Sequence, residues 1–350
     1  MTSKRELFGL AALTVLAASI AGPAAASGAK PLLGVICQAP PPDHCAEAGC
    51  PPGMLADLGN ATDPKTGRKF FLDYPCDLKP GEKVIFILNL HGAGSIGNWQ
   101  RHYFPAADYK EKYRLVVATP TAATVKPLRM WLGDADDQYL QNISDMVIAG
   151  IGRRNVKAFW LAGHSQGGMT SNRIVCSDYF KGKVDGWLSL SGGRIGPAAL
   201  NPEFFRGRNL PALPAGSAPA GGRPGVAITP ACDINYVFET GEKEILALPD
   251  TSPWADKYAC APRVREPDVV DEKPGWVDAG PSQGEPNPAW GLKARPGTAQ
   301  VYVYPRCKGG KMVADVMRLD KGHTEGLEPL VTEKLIKLIV AAPGGKLQKG

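Results

Sequence analysis

The sequence predicts an α/β fold built on a mostly parallel β-sheet that helices cover on both faces. Short, almost wholly apolar runs rich in β-branched residues recur along the chain, as is typical of buried parallel strands. Segments with helical spacing of apolar residues lie between some of these runs, and glycine-rich turns follow several of them. Strands that alternate with helices favour a parallel sheet between two helical layers.

The strands and the clearest helix can be placed one by one. Five runs are predicted as strands: Lys83–Leu90, Tyr113–Ala118, Val156–Ala162, Gly186–Leu190 and Asn235–Glu239. Met312–Leu319 is a further strand-like segment near the C-terminus. The segment Asp136–Ile151 repeats apolar residues at helical spacing and has acids at its start, where a helix dipole favours them.

The N-terminus has the three-part layout of a secretory signal peptide. A basic start precedes an apolar run from Leu7 to Ile20, and small residues follow up to Ala26. The run is shorter than the about 20 apolar residues that a membrane-spanning helix needs. We therefore expect cleavage after Ala26, removal of residues 1–26, and a secreted or periplasmic protein that is not held in a membrane.

Charge and cysteine content narrow the classes of function. The formal net charge of +6 becomes +5 without the signal segment, and the basic residues are scattered, so no nucleic-acid partner is expected. Eight cysteines in an exported chain predict up to four disulfides. The sequence has no Cys-x-x-Cys pair and its five histidines are dispersed, which argues against a zinc site. We expect neither a metal nor a cofactor.

Composition divides the exported chain into two parts. Four cysteines and many prolines lie within residues 27–79, which are predicted to form a disulfide-stapled extension. Residues 80–343 would form the catalytic domain. Stretches rich in Pro, Gly and Ala interrupt it near 197–224 and 260–298. Long loops of this kind are often lids or binding loops, and insertions without function are the equally open alternative.

One motif carries the chemistry. The strand VKAFWLA runs directly into Gly163-His164-Ser165-Gln166-Gly167, and Met169–Cys176 reads as a helix. A nucleophile elbow requires this strand, tight turn and helix, with glycines two positions either side of the serine. We therefore predict Ser165 as a nucleophile. A glycine-rich turn without catalytic function is the alternative.

A serine hydroxyl needs a base to accept its proton, usually a histidine that a carboxylate orients. In this type of fold the chain order is Ser, acid, His, and His323 is the one histidine downstream of Ser165. The acid should follow the strand that ends near Glu239. We choose Glu244, and the residues left open are Glu242, Asp233 and Asp250.

The remaining site residues are predicted from the glycine-rich turn after the first strong strand. The N–H groups of Ala93 and Gln166 are expected to form the oxyanion hole, although the turn could simply end the strand. The side chains of His91, His164 and Trp131 are expected near the substrate. Trp131 could instead pack in the core.

Four segments together resemble a known group of enzymes. NLHGAGS, GHSQGGMTSNR, SLSGGR and DKGHTEGLEP are similar to segments of extracellular polyhydroxyalkanoate depolymerases and of feruloyl or acetylxylan esterases of the α/β-hydrolase superfamily. The similarity covers roughly residues 80–340. It implies an α/β-hydrolase fold, an ester substrate and a disulfide between Cys260 and Cys307. In that family an Asp usually stands at the position of Glu244.

The resemblance also separates subgroups. Tannase-like feruloyl esterases have cysteines beside the serine and the histidine, and His164 and Gly322 stand there in this chain, which disfavours that subgroup. The resulting expectation is a secreted serine esterase that acts through an acyl-enzyme on plant-polymer esters or polyesters. A serine peptidase with the same triad and a non-catalytic exported binding protein remain the alternatives.

Overall fold

The structure is a computed structural model of the whole chain, and it describes residues 31–38, 58–123, 129–192, 231–244, 247–277 and 289–349. The segment 1–26 and the insertion near 197–224 lie outside these residues. Part of the insertion near 260–298 also lies outside, as do Cys45 and Cys50.

Eleven strands form one sheet within the described residues. In chain order they are β1 Ala61–Thr62, β2 Lys69–Asp73, β3 Val84–Leu90, β4 Leu115–Pro120, β5 Val156–His164, β6 Gly186–Leu190, β7 Asn235–Gly241, β8 Val264–Arg265, β9 Val269–Asp271, β10 Gly297–Val303 and β11 Val313–Arg318. The spatial order is β1-β2-β4-β3-β5-β6-β7-β11-β10-β8, and β9 also pairs with β10. Six strands that are neighbours in this spatial order are mutually parallel, namely β4, β3, β5, β6, β7 and β11. The strands on either side of these six pair in antiparallel fashion.

Helices cover this sheet. They are α1 Gly97–Tyr103, α2 Lys110–Tyr113, α3 Gly133–Ile151, α4 Gln166–Val175, α5 Pro253–Lys257, α6 Pro329–Ala341 and α7 Lys346–Lys349. Helix α3 begins three residues before the predicted Asp136, and α6 is a helix that the sequence analysis did not predict.

The central strands are apolar because both of their faces are buried. Strand β3 is buried at all seven positions, and alternate residues enter two different core clusters. Phe86 packs in one cluster and stacks on Phe159 of β5 at 4.5 Å between ring centroids, while Ile87 and Trp160 lie in the other. Two cores separated by the sheet confirm the predicted α/β fold with a parallel sheet and helices on both faces.

The outer strands of the sheet come partly from segments that were predicted to be an extension and a loop insertion. Strands β1 and β2 lie within 27–79, and β2 pairs with β4, while the Cys37–Cys76 disulfide connects the described start of the extension to the end of this strand region. Strands β8 and β9 lie within the stretch near 260–298 and pair with β10. The expected Cys260–Cys307 disulfide is present, with 4.0 Å between the Cα atoms.

A third disulfide fastens the helix that follows Ser165. Cys176 ends α4, and its bond to Cys232, with a sequence separation of 56, connects it to the residues that enter β7. We expect the double variant Cys176→Ser/Cys232→Ser to lower the free energy of unfolding by about 2–4 kcal/mol, because the crosslink restricts the unfolded chain. Urea denaturation without reductant measures this. A free energy of unfolding equal to that of the wild type would contradict it.

Candidate active site

Ser165 lies in the turn between β5 and α4. Its φ of 51° and ψ of −117° are strained for a residue other than glycine. The N–H of Ser165 donates to the carbonyl of Leu190 at 2.9 Å, and its own carbonyl accepts the N–H of Met169 at 3.1 Å. Strand, strained turn and helix together form a nucleophile elbow. With the mostly parallel sheet, this gives the α/β-hydrolase fold that the sequence predicts.

The glycines around the serine are required by close backbone contacts. A Cβ atom on Gly163 would lie 2.3 Å from the carbonyl carbon of Gly167, and one on Gly167 would lie 2.3 Å from the carbonyl oxygen of Leu90. Gly192, outside the motif, is equally constrained, since its Cβ would lie 2.2 Å from the carbonyl oxygen of Ser165. Gly192 was not predicted as a site residue, although the Gly-Gly pair that follows strand β6 is a signal for it in the sequence.

His323 and Glu244 come together from two loops at the carboxyl ends of β11 and β7. Nδ1 of His323 lies 2.9 Å from Oε2 of Glu244. The other oxygen of Glu244 accepts the N–H of Gly241 at 2.9 Å and the hydroxyl of Ser191. Because the carboxylate only accepts hydrogen bonds, Nδ1 carries the hydrogen and Nε2 keeps a lone pair.

The three other acids that the sequence left open have different partners. Asp233 pairs with Lys257 at 3.5 Å, and Asp250 pairs with Arg263. Glu242 accepts the backbone N–H of Asp320 at 2.8 Å. Of the four candidates, the structure brings Glu244 alone into a hydrogen bond with His323.

Glu244 is a buried carboxylate whose hydrogen bonds keep it ionised. Burial by itself raises its pKa, but the positive charge available on His323 and the hydrogen bonds from His323, Gly241 and Ser191 outweigh burial and lower the pKa to about 2. The carboxylate therefore keeps its charge across the neutral range. It can stabilise an imidazolium that forms on His323.

Ser165 and His323 belong to the same site without a direct hydrogen bond between them among the described residues. The ring of His164, the residue before the serine, lies 4.7 Å from the ring of His323. Nε2 of His164 lies 2.8 Å from the carbonyl oxygen of His323. In unliganded sites, hydrogen bonds between nucleophile and base are often long and shorten when substrate binds.

The glycine-rich loop after β3 lies beside the serine. A Cβ atom on Gly92 would lie 3.1 Å from Cβ of Ser165. Within the described part of the chain, the N–H groups of Ala93 and Gln166 donate no hydrogen bond, whereas the neighbouring Gly94 donates to the carbonyl of Arg129 at 2.7 Å. Neither N–H group is engaged by the described residues, and the role in an oxyanion hole stays a prediction.

The side chains of His91 and Trp131 are buried and hold this loop, which differs from the predicted contact with substrate. The indole N–H of Trp131 donates to the carbonyl of His91 at 2.8 Å, and the two rings lie 4.8 Å apart. Nδ1 of His91 lies 2.7 Å from the carbonyl of Gly92, and Nε2 accepts the N–H of Ala122 at 2.9 Å. Burial lowers the pKa of His91 to about 4, so the ring is neutral and serves as scaffold. His164 is buried too, only 3% exposed.

Further side chains, which were not predicted to belong to the site, lie at its border. The ring of Trp290 meets His323 edge-on at 5.1 Å, and Trp99 lies 5.3 Å from His164. Met169 and Leu132 are large apolar residues left 58% and 45% exposed. They lie near the serine, because Met169 binds its carbonyl and Leu132 follows Trp131, whose N–H donates to the side chain of Gln166.

A cluster of buried charges lies behind the His323 loop. Arg318 pairs with Glu239 at 2.6 Å and with Glu328 at 3.4 Å, and Lys321 pairs with Glu328 at 2.8 Å and with Glu325 at 3.5 Å. Burial raises the pKa of Glu239 to about 7 in spite of Arg318. The ion pairs connect both ends of the loop to β7 and to the start of α6.

Two features are absent from the described residues: a cluster of metal ligands and a helix that could cross a membrane. No group of three or more His, Cys, Asp or Glu side chains is arranged to hold a metal ion there. None of the helices in that part of the chain has the length and apolar character needed to cross a membrane.

Comparisons with known proteins yield similar structures. No family model matches the sequence, and no curated protein matches it. An acetyl xylan esterase from Aspergillus awamori is similar with 13% identity over 80% of this chain and 96% of that chain, and a TM-score of 0.44. Est1E from Butyrivibrio proteoclasticus, solved with ferulic acid bound, has 15% identity over 78% of this chain and 94% of that chain, and a TM-score of 0.39. At these values the reaction has to be argued from the site alone.

The hydrogen-bonded Glu244 leads to a pH dependence of stability. Its pKa falls from 4.5 to about 2 on folding, so its charge stabilises the fold above pH 4.5, and this contribution is lost as the pH falls towards 2. The full contribution is about 3 kcal/mol, of which about 2 kcal/mol is lost by pH 3. We expect the stability advantage of the wild type over Glu244→Gln to shrink by that amount between pH 7 and pH 3 in urea denaturation. An advantage that is constant with pH would contradict this.

Proposed function

We propose that this protein is a serine hydrolase of carboxylic esters, with Ser165 as nucleophile, His323 as general base and Glu244 as the orienting acid. The single observation that carries the proposal is the hydrogen bond of 2.9 Å between Nδ1 of His323 and Glu244, in a loop that lies against the nucleophile elbow of Ser165. That bond leaves Nε2 as the proton acceptor.

The reaction follows from these roles. Nε2 of His323 takes the proton of the Ser165 hydroxyl while the oxygen attacks the ester carbonyl. The N–H groups of Ala93 and Gln166 stabilise the oxyanion. His323 then gives the proton to the leaving alcohol, which departs and leaves an acyl group on Ser165. Water, activated by the same imidazole, releases the acid and restores the serine.

The setting of the site supports an exported enzyme that acts on esters of plant polymers or on polyesters. The signal-like N-terminus and the three disulfides of the described residues fit an oxidising compartment outside the cytoplasm. The half-buried Trp290 and Trp99 and the exposed Met169 and Leu132 supply apolar surface beside the serine, which suits the aromatic or aliphatic acyl group of such esters.

The nucleophile is tested with a fluorophosphonate probe and a panel of substrates. We expect the wild type to be labelled and to hydrolyse p-nitrophenyl, feruloyl, acetyl-sugar or hydroxyalkanoate esters, and Ser165→Ala to do neither, because the attacking oxygen is absent. Gel fluorescence and initial rates measure both. Turnover of peptides without esters would favour a peptidase, and an unlabelled wild type would favour a non-catalytic binding protein.

The acid is tested by comparing two glutamates of one loop. We expect Glu244→Gln to lower kcat roughly 10⁴-fold, since the carboxamide no longer stabilises the charged imidazole in its working orientation. Glu242→Gln is the matched control, and its kcat should stay within about 3-fold of the wild type, because a surface change away from the reacting groups has a small effect. Equal kcat values for the two variants would remove Glu244 from the triad.

A further inference from the structure

His164 joins the two halves of the site. It is the last residue of β5 and directly precedes Ser165. Its Nε2 lies 2.8 Å from the carbonyl oxygen of His323. Residues 156–168 comprise β5 and the turn of Ser165, and residues 319–328 form the loop that contains His323. Among the described residues, this hydrogen bond is the one that joins these two segments.

The tautomer of His164 follows from its neighbours. A carbonyl oxygen can only accept, so Nε2 of His164 must carry a hydrogen. Burial, and then the charge that His323 can carry, hold the pKa of His164 well below its usual value. The ring is therefore neutral and Nδ1 has only a lone pair. Nδ1 is buried and has no hydrogen-bond partner among the described residues, and a Cβ atom on Gly92 would lie 2.9 Å from it.

A neutral ring is also what the reaction requires at this position. The rings of His164 and His323 are 4.7 Å apart, so a cation on His164 would oppose the imidazolium that forms on His323. The ring is held in place on its other sides by Tyr103, at 4.2 Å between ring centroids, and by Trp99 at 5.3 Å. His164 can therefore give its N–H to the loop without turning away.

The other bonds of the His323 loop lead elsewhere. The N–H of His323 donates to the carbonyl of Ala289 at 3.0 Å, and Thr324 donates to the carbonyl of Trp290 through its N–H and its hydroxyl. These bonds fix the loop to a neighbouring loop rather than to the strand that carries the nucleophile. The hydroxyl of Tyr103 reaches the carbonyl of His323 at 3.4 Å from helix α1, not from β5.

We infer that His164 is a positioning residue, which sets the separation of base and nucleophile by tying the backbone of His323 to the strand that presents Ser165. The inference rests on the proposed triad. A misplacement of about 1 Å between reacting groups can cost about 10²-fold in rate. Loss of the tie should therefore lower the rate of the chemical step and leave ground-state binding of the ester almost unchanged.

Variants of His164 separate the hydrogen bond from the packing. His164→Phe keeps an aromatic ring but removes the N–H, whereas His164→Gln has an amide nitrogen at about the same reach. We expect kcat to fall 10- to 100-fold in the Phe variant with KM within about 2-fold, and to remain within about 5-fold of the wild type in the Gln variant. The rate of labelling of Ser165 by the fluorophosphonate should follow kcat.

Thr324→Val is the matched control, because it removes one hydrogen bond of 2.7 Å from the same loop without breaking the connection to β5. Its kcat and its labelling rate should stay within about 2-fold of the wild type. Should His164→Phe fail to fold, His164→Gln against His164→Asn decides the question. The two side chains have the same amide, but Asn is one methylene too short to reach the carbonyl of His323.

The outcomes separate this inference from the proposed function. A wild type that the probe does not label overturns the triad. A labelled wild type with an equally fast His164→Phe variant overturns the positioning role alone. A Gln variant as slow as the Phe or Asn variant also overturns it, because then the donated hydrogen bond is not what matters. A Thr324→Val variant as slow as His164→Phe would also overturn the positioning role, since the loss of any hydrogen bond of the loop would then lower the rate.

Discussion

The close approach of backbone segments around Ser165 is the constraint on which the rest of this structure depends. Gly163, Gly167 and Gly192 each lie so near another main-chain atom that a Cβ would overlap it. This contact forces the chain through a positive φ at the serine and starts α4 immediately behind it. The strain is tolerated because β3, β5 and β6 hold the turn from three sides through a sheet that is buried on both faces.

The second requirement of the site is that Glu244, the partner of His323, stays charged. A carboxylate as buried as Glu244 would ordinarily take up a proton, and only donors aimed at both of its oxygens keep it charged. Glu239, two residues before Gly241 on the same strand, lacks such a set and retains its proton more readily, although it touches Arg318. Two buried glutamates near each other thus have pKa values shifted in opposite directions, because their hydrogen bonds differ.

The sequence was informative where one local pattern decides the structure. Continuous apolar runs predicted β3, β5, β6 and β7. The chain order of serine, acid and histidine predicted Ser165, Glu244 and His323, and the last two are hydrogen-bonded. Strand β10 was missed because a half-exposed antiparallel strand lacks such a run. Strand β2 is buried at four of its five positions, but it is short and has Lys69 and Asp73 at its ends, so it was missed as well. The Arg318 cluster could not be foreseen, since each of its charges alone looks like a surface residue. The helical spacing of Leu335, Ile336 and Ile339 does indicate a helix at α6, which was not predicted.

The bond between Cys176 and Cys232 bears on how freely this molecule can be altered. The residues between β6 and β7 leave the sheet at Leu190 and re-enter it at Asn235, and both strands are fixed by their pairing. The disulfide fixes Cys232, at the entry to β7, against the end of helix α4, which begins directly behind Ser165. A substitution or insertion that displaces Cys232 therefore also strains the helix behind the reactive serine, so the entry to β7 can be altered less freely than its distance along the chain from Ser165 suggests.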